Sequence, residues 1–353
     1  MPSMRTRSAP VVRTARLGAA LLALTQALMA GCGGPTAGGP EAGGEGQTIV
    51  VSNYGVAVNG MPFAVARARG YFEAEGAHVT GILSSSGGGS TIRNLEGGNL
   101  AYAETSLASV VAAAASGAKI RIVSGNAHTA AEFHWITMPD SPVKTLADVK
   151  GRRLGFTTPR STSQALNALL LRTLGLRPGD VSQINTGGFG QMLVALERGG
   201  IDVAPMSDPI YTQNKGKYRL LADATSVLPA LTNVVGVTSE EAAGRHGDFI
   251  RAVIRARRRA VADIYADPAA AAAVIAPEYK LDVAVTREIL ERLVASGKDS
   301  GVPYWGPGDI RYGPMDEMIK AQQDIGALSG PVDWTTLVDV RFLPDDLQGA
   351  GAR

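Results

Sequence analysis

At 353 residues with 45% hydrophobic content, the chain is long enough for about two globular domains, each with a core of its own. Its 43 glycines and 5% aromatic residues describe a loop-rich, alanine-padded globular body and exclude fibrous or low-complexity classes. The formal net charge of +2 rests on four arginines ahead of residue 32; the remainder holds 30 basic against 32 acidic residues and gives no reason to expect nucleic acid.

Residues 1–31 read as a secretory leader. Arg5, Arg7, Arg13 and Arg16 precede the apolar stretch LGAALLALTQALMAG, which is too short for a stable membrane span. Leu28-Met29-Ala30-Gly31-Cys32 resembles the lipobox of bacterial lipoproteins, with Met29 standing where leucine or a similar residue is usual. That resemblance implies lipidation of Cys32, which then anchors the exported chain to a bacterial membrane, facing the periplasm or the cell exterior. Residues 32–47 lack hydrophobic periodicity and read as a Gly/Pro-rich tether. Because Cys32 is the only cysteine, the folded body has no internal disulfide, catalytic thiol or cysteine metal site. His128 and His134 have no third ligand at a suitable spacing, so no metal is expected.

From Thr48 the pattern alternates between strand and helix. TIVVSNYG predicts a strand, MPFAVARARGYFEAEG an amphipathic helix, HVTGIL a strand, SSSGGGST a loop, TIRNLEGG a helix, NLAYAETS a strand, LASVVAAAASG a helix and KIRIVSGN a strand. The same rhythm returns between residues 144 and 209. An α/β fold of two lobes follows, each a mainly parallel sheet flanked by helices, with a cleft between them. Crossings near His128 and Asn233 would give lobe 1 residues 48–128 plus 233–353 and lobe 2 residues 129–232, joined by a two-strand hinge. Arg67, Arg69 and the ARRRA run at 256–260 read as solvated helix faces.

The segments PFAVARARGYFEAEGAHV, SSSGGGSTIRNLEGGNLAYAETS, ASGAKIRIV, SPVKTLADVKGRRLGF and ALERGGIDVAPMSDP occur in order between about residues 48 and 240. In sequence and spacing they resemble the solute-binding proteins of ABC importers in the nitrate, sulfonate and taurine group, whose fold is shared with thiamine-pyrimidine binding proteins. The resemblance implies a type 2 periplasmic-binding-protein fold. It also implies a cofactor-free monomer that captures a small solute, breaks no bond and docks on a permease with its ATPase. A solute-sensing or adaptor lipoprotein would share these features. So would a pyrimidine-synthase-like enzyme, although that enzyme relies on histidine and a cysteine-containing motif, and this chain has no cysteine beyond Cys32.

In open α/β sheets, ligands bind beyond the carboxyl ends of strands, where helix N-termini present free N–H groups. This brings Ser85, Ser86, Gly88, Ser90 and Thr91 to the cleft, opposed by Arg160, Ser161, Thr162 and Ser163 of TTPRSTSQ. No Gly-Lys-Ser or Gly-Lys-Thr follows the glycines, which excludes a nucleotide loop. Asn53, Tyr54, Glu104, Thr105, Ser106, Asn126, His128, Phe189, Ser207 and Asp208 complete the candidate set. Singly, Tyr54 and Phe189 also suit core aromatics, Asn53 a turn and Asp208 a helix cap. Arg160 and the helix N-termini favour an anion of sulfonate, nitrate or carboxylate type. Glu104 and Asp208 would suit an amine, leaving a zwitterion or a cationic heterocycle open.

Overall fold

A computed structural model of the chain describes residues 46–97 and 100–349; the leader, Cys32 and the tether up to residue 45 lie outside them. In β1 (Gln47–Ser52), Ile49, Val50 and Val51 are all fully buried, as an unbroken apolar run requires in a strand covered by helices on both faces. The later strands are β2 (Val79–Ser85), β3 (Ala103–Ser106), β4 (Ile120–Ala127), β5 (Phe133–Thr137), β6 (Arg153–Phe156), β7 (Ser182–Asn185), β8 (Ala204–Ser207), β9 (Arg219–Asp223), β10 (Val234–Ser239) and β11 (Trp305–Gly308).

A six-stranded sheet runs in the order β11-β4-β10-β3-β1-β2. The strands from β5 to β9 lie apart from it in two ladders, β8-β5-β9 and β6-β7, joined by a parallel bridge between Leu154 and Val203. Both sheets are mainly parallel, as expected from the βα rhythm, with β10 and β11 reversed in the larger and β5 in the smaller. β10 runs antiparallel to β3 and β4, and β5 antiparallel to β8 and β9.

The reversal has a geometric cause. β4 leaves the larger sheet at its carboxyl end, and the chain enters the smaller sheet directly as β5, without a crossover helix. The amino end of β5 therefore sits where its neighbours have their carboxyl ends. β10 makes the same entry on the return journey. Sequence rhythm cannot show this, because the periodicity of a strand carries no direction.

Six helices position the residues discussed below: α1 (Gly88–Gly97), α2 (Leu107–Ala115), α3 (Thr162–Thr173), α4 (Phe189–Glu197), α5 (Gly247–Ala266) and α6 (Val283–Ser300). Among the described residues no helix is long and apolar enough to cross a membrane.

The ARRRA run of α5 is not uniformly solvated. Arg258 is a surface residue paired with Asp346, and Arg259 lies over the Tyr71 ring. Arg257 points inward and is only 2% exposed. Its guanidinium donates to Glu104 Oε2 at 3.0 Å, to the Gly306 carbonyl at 2.8 Å and to the Asn126 carbonyl at 2.7 Å. Glu104 is fully buried and also accepts from the side-chain amides of Asn59 at 3.0 Å and Asn126 at 2.6 Å. This cluster ties β3, β4 and β11 to α5 beneath the carboxyl ends of the larger sheet. Removing one member of a buried pair strands the other charge and costs about 3–5 kcal/mol. Arg257→Ala is therefore expected to lose about that much stability in urea unfolding, whereas Arg258→Ala should lose under about 1 kcal/mol; equal losses would refute the burial of Arg257.

Candidate functional site

A cavity of about 470 Å³ opens where the two sheets meet. Its wall is built from the carboxyl ends of β1, β6 and β8, at Ser52 and Asn53, Thr157 and Thr158, and Ser207. The two crossings add Glu132 and Phe133 at the start of β5, and Asn233 and Val234 at the start of β10. The crossings are joined to each other: Asn233 Nδ2 donates to Glu132 Oε1 at 2.6 Å, and Thr162 Oγ1 donates to Asn233 Oδ1 at 2.9 Å.

Four helices of the described residues present their N-terminal turns to the cavity. The lining includes Gly88, Gly89 and Ser90 of α1, Ser106 ahead of α2, Ser161–Ser163 at the start of α3, and Gly188–Gly190 at the start of α4. The first amides of a helix have no intrahelical acceptor and sit at its partially positive end. Ser106 caps Ser109 N at 3.3 Å and Ser161 caps Gln164 N at 3.4 Å, each satisfying one such donor. Gly188 has no side chain with which to cap α4. Gly88 allows two of these termini to approach closely, since a Cβ there would lie 2.0 Å from Ser109 Oγ. The arrangement concentrates partial positive charge in a space also lined by hydroxyls, amides and glycine and, on parts of the wall, by apolar side chains such as Val56, Phe133 and Ile210. It is chemically suited to an anion or to carbonyl-type acceptors.

Two titratable side chains line the cavity, Arg93 and Glu132. Arg93 is an exposed residue of α1. Glu132 is 4% exposed, and burial pushes its carboxyl up to about 8 against the opposing pull of Tyr304, Arg292 and Asn233. Oε1 accepts from Asn233, while Oε2 forms no hydrogen bond. Phe133 and Phe189 supply aromatic surface, with ring centroids 6.2 Å apart and planes tilted by 48°.

Of the residues singled out from sequence, Asn53, Ser86, Gly88, Ser90, Ser106, Ser161, Thr162, Ser163, Phe189 and Ser207 are brought together on this wall. The others lie elsewhere. Arg160 is exposed and absent from the wall; it sits at a left-handed φ of 63°, and its backbone N–H donates to Gln164 Oε1 at 2.7 Å. Tyr54 turns away to donate to Glu278 at 3.0 Å and to pack edge-on against Tyr279. Ser85, Thr91 and Thr105 form a buried hydroxyl cluster with Ser52, in which Ser52 Oγ donates to Thr105 Oγ1 at 2.8 Å and Ser85 and Thr91 hydroxyls lie 2.5 Å apart. Glu104 and Asn126 belong to the Arg257 cluster, so neither is free to hold an amine.

His128 is fully buried against Asp309 at 2.9 Å, and burial lowers it below its ordinary range. Asp208 accepts from Thr212 Oγ1 at 2.7 Å and pairs with Arg292 of α6, with His134 Nε2 at 3.3 Å. Both acids proposed for an amine are thus already neutralised.

Sequence reasoning missed Glu132, Arg93, Asn59, Ser109 and Phe133. Glu132 and Phe133 occupy a crossing whose position was placed only approximately, and Arg93 follows the quoted loop by two residues. A helical projection of TIRNLEGG from the loop would have placed Arg93 one turn from Gly89.

The fold and the cavity together define a two-lobed α/β protein of the type 2 periplasmic-binding-protein kind. The family model described as NMT1/THI5 like matches residues 57–271, more than half of the chain, and the chain belongs to that family. By sequence it is 24% identical over 317 residues to the riboflavin-binding protein RibY of Chloroflexus aurantiacus, covering 84% of this chain and 86% of that protein. In structure it is similar to the periplasmic aliphatic sulphonate binding protein SsuA from Escherichia coli, with a TM-score of 0.69 and 19% identity over 83% of this chain and 92% of that one. The alkanesulfonate-binding protein SsuA from Xanthomonas axonopodis pv. citri, bound to MOPS, gives 0.67 and 21% over 83% and 97%. The desulfurization enzyme DSZB shows the same fold more distantly, at 0.56 and 13% over 84% and 97%.

Glu132 makes a stability prediction. The folded carboxyl keeps its proton up to about pH 8, whereas an unfolded glutamate loses it near pH 4.3. Wild-type stability should fall relative to Glu132→Gln as pH rises from about 5 to 8, by a few kcal/mol, and then level off. Urea unfolding of both proteins across that range tests it, and parallel pH profiles would contradict the raised carboxyl.

Proposed function

We propose that this protein is the extracytoplasmic solute-binding component of an ABC importer, anchored through lipidated Cys32, which closes on a small anionic organic solute and delivers it to a permease. The convergence of four helix N-termini from both sheets on one cavity carries this reading. A small anion is stabilised there by oriented amides and hydroxyls, with no counter-charge needed from a buried side chain. The lobes comprise residues 48–128 plus 233–353 and residues 129–232, and the two crossings serve as the hinge. A solute touching Ser90 on one side and Ser163 on the other favours closure because it bonds to both lobes only when they meet. Among the sulfonate, nitrate and carboxylate classes, a sulfonate is favoured because its three oxygens form a pyramid that accepts from several directions, whereas nitrate is planar and a carboxylate has two, and the helix N-termini reach the cavity from both sheets. The same residues propose no bond-breaking chemistry, since no nucleophile in the cavity has a neighbouring base.

A second reading is favoured by Phe133 and Phe189, which offer one aromatic wall, and by the name of the RibY relative. In it the solute carries a flat heterocycle. The tilt of 48° between the rings leaves no parallel slot between them, so such a ring would stack on one phenylalanine only.

A thermal-shift panel of ethanesulfonate, nitrate, acetate and riboflavin on the purified protein separates the two. A bound solute at 100 times its dissociation constant adds about 2.7 kcal/mol, and ethanesulfonate is expected to raise the melting temperature most. Arg93→Ala should weaken ethanesulfonate about fivefold, the worth of roughly 1 kcal/mol from a solvated charge, and Arg160→Ala should leave it unchanged. A shift by riboflavin alone would favour the heterocycle, and weakening by Arg160→Ala would restore that residue as the anion clamp.

A further inference from the structure

Glu132 presents a contradiction that its surroundings can resolve. Glu132 lines a cavity in which helix N-termini favour negative charge, and its buried carboxyl, if ionised, would repel an anion bound there. The other buried acids nearby are matched. Glu104 holds Arg257, Asp208 holds Arg292 and Thr212, and Asp309 holds His128 and Arg311. Glu132 has no such partner. Arg292 of α6 faces it, but that guanidinium donates to Asp208 and, at 2.7 Å, to the Ala131 carbonyl. The Tyr304 hydroxyl ahead of β11 lies beside it, yet neither that oxygen nor Glu132 Oε2 forms a hydrogen bond within bonding geometry. The neutral amide of Asn233 donates to Oε1.

We propose that Glu132 carries a proton whenever an anion fills the cavity, so that the solute is captured with this carboxyl neutral. The proposal rests on the anion reading of the cavity. It makes Glu132 a specificity-determining residue and couples capture to proton occupancy.

The charged and titratable groups around Glu132 leave it as the one that changes state near neutrality. Arg292, lowered to about 10 by burial, stays cationic. Tyr304 is pushed far above its ordinary range by burial, and Glu104 and Arg257 beyond it remain a pair. His134, reached through Asp208, is pushed below its ordinary range, again by burial. Burial raises Glu132 itself to about 8, and a bound anion raises it further by like-charge repulsion. Binding then favours the protonated form, so affinity is constant below about pH 8 and falls above it.

Calorimetric titration of the full protein with ethanesulfonate from pH 6.5 to 9.5, beside Glu132→Gln, is the test. The glutamine keeps an acceptor for Asn233 and is neutral at every pH. Wild-type affinity should drop by up to about tenfold per pH unit above pH 8, while the affinity of Glu132→Gln, whatever its value at pH 7, should stay flat. A flat wild-type profile, or an equal fall in the variant, overturns the proposal alone. Affinity that rises with pH overturns it by showing an ionised Glu132 receiving a cation. Failure of both proteins to bind ethanesulfonate at any pH overturns the anion reading and the proposal with it.

Discussion

The direction in which the chain re-enters each sheet governs the rest of this structure. Both crossings are direct, from the carboxyl edge of one sheet to the carboxyl edge of the other, so β5 and β10 must run against their neighbours. The carboxyl ends of both sheets then face one another, and helices that follow those strands start at the same place. Convergence of four helix N-termini on one space is thus a consequence of topology, requiring no special residue at each terminus. Specific residues are needed only to let the termini approach, as Gly88 does beside Ser109, and to cap donors that the cavity does not use.

A cavity with little charge of its own needs firm support. Charge is placed one layer behind the wall, where Arg257 and Glu104 bridge β3, β4 and α5, and Arg292 and Asp208 bridge α6 to the end of β8. The Arg257–Glu104 pair has its remaining hydrogen bonds supplied by backbone carbonyls and side-chain amides, the condition under which buried ions are tolerated. The polar part of the wall is largely hydroxyls and amides, whose neutral dipoles can serve an oxyanion. The Thr162–Asn233–Glu132 chain joins α3 to both crossings at once.

Much of this was legible in the sequence where local chemistry decides the outcome. SSSGGGST and TTPRSTSQ lie at strand-to-helix junctions, and their serines reach the cavity because N-capping and strand ends are local properties. The candidates that fell elsewhere were placed by proximity in sequence alone. Arg160 shares a loop with Ser161, but a left-handed backbone carries its side chain outward. Glu104 and Asn126 end strands at the right level yet are engaged by Arg257, more than 100 residues away. Arg257 itself reads as one of three equivalent arginines until its facing strands are known. Long-range pairing of this sort has no local signature, and strand direction has none either.

The central claim is that an anion lies among the helix N-termini between the two sheets. Crystallography of the protein with 2-bromoethanesulfonate, using the anomalous signal of bromine to fix the ligand's orientation, tests it directly. The account predicts sulfonate oxygens within hydrogen-bond distance of first-turn amides of helices from both lobes, such as those of Ser90 and Ser163. A sulfonate bound outside the cavity, or held there by Arg160 without those amides, would contradict it.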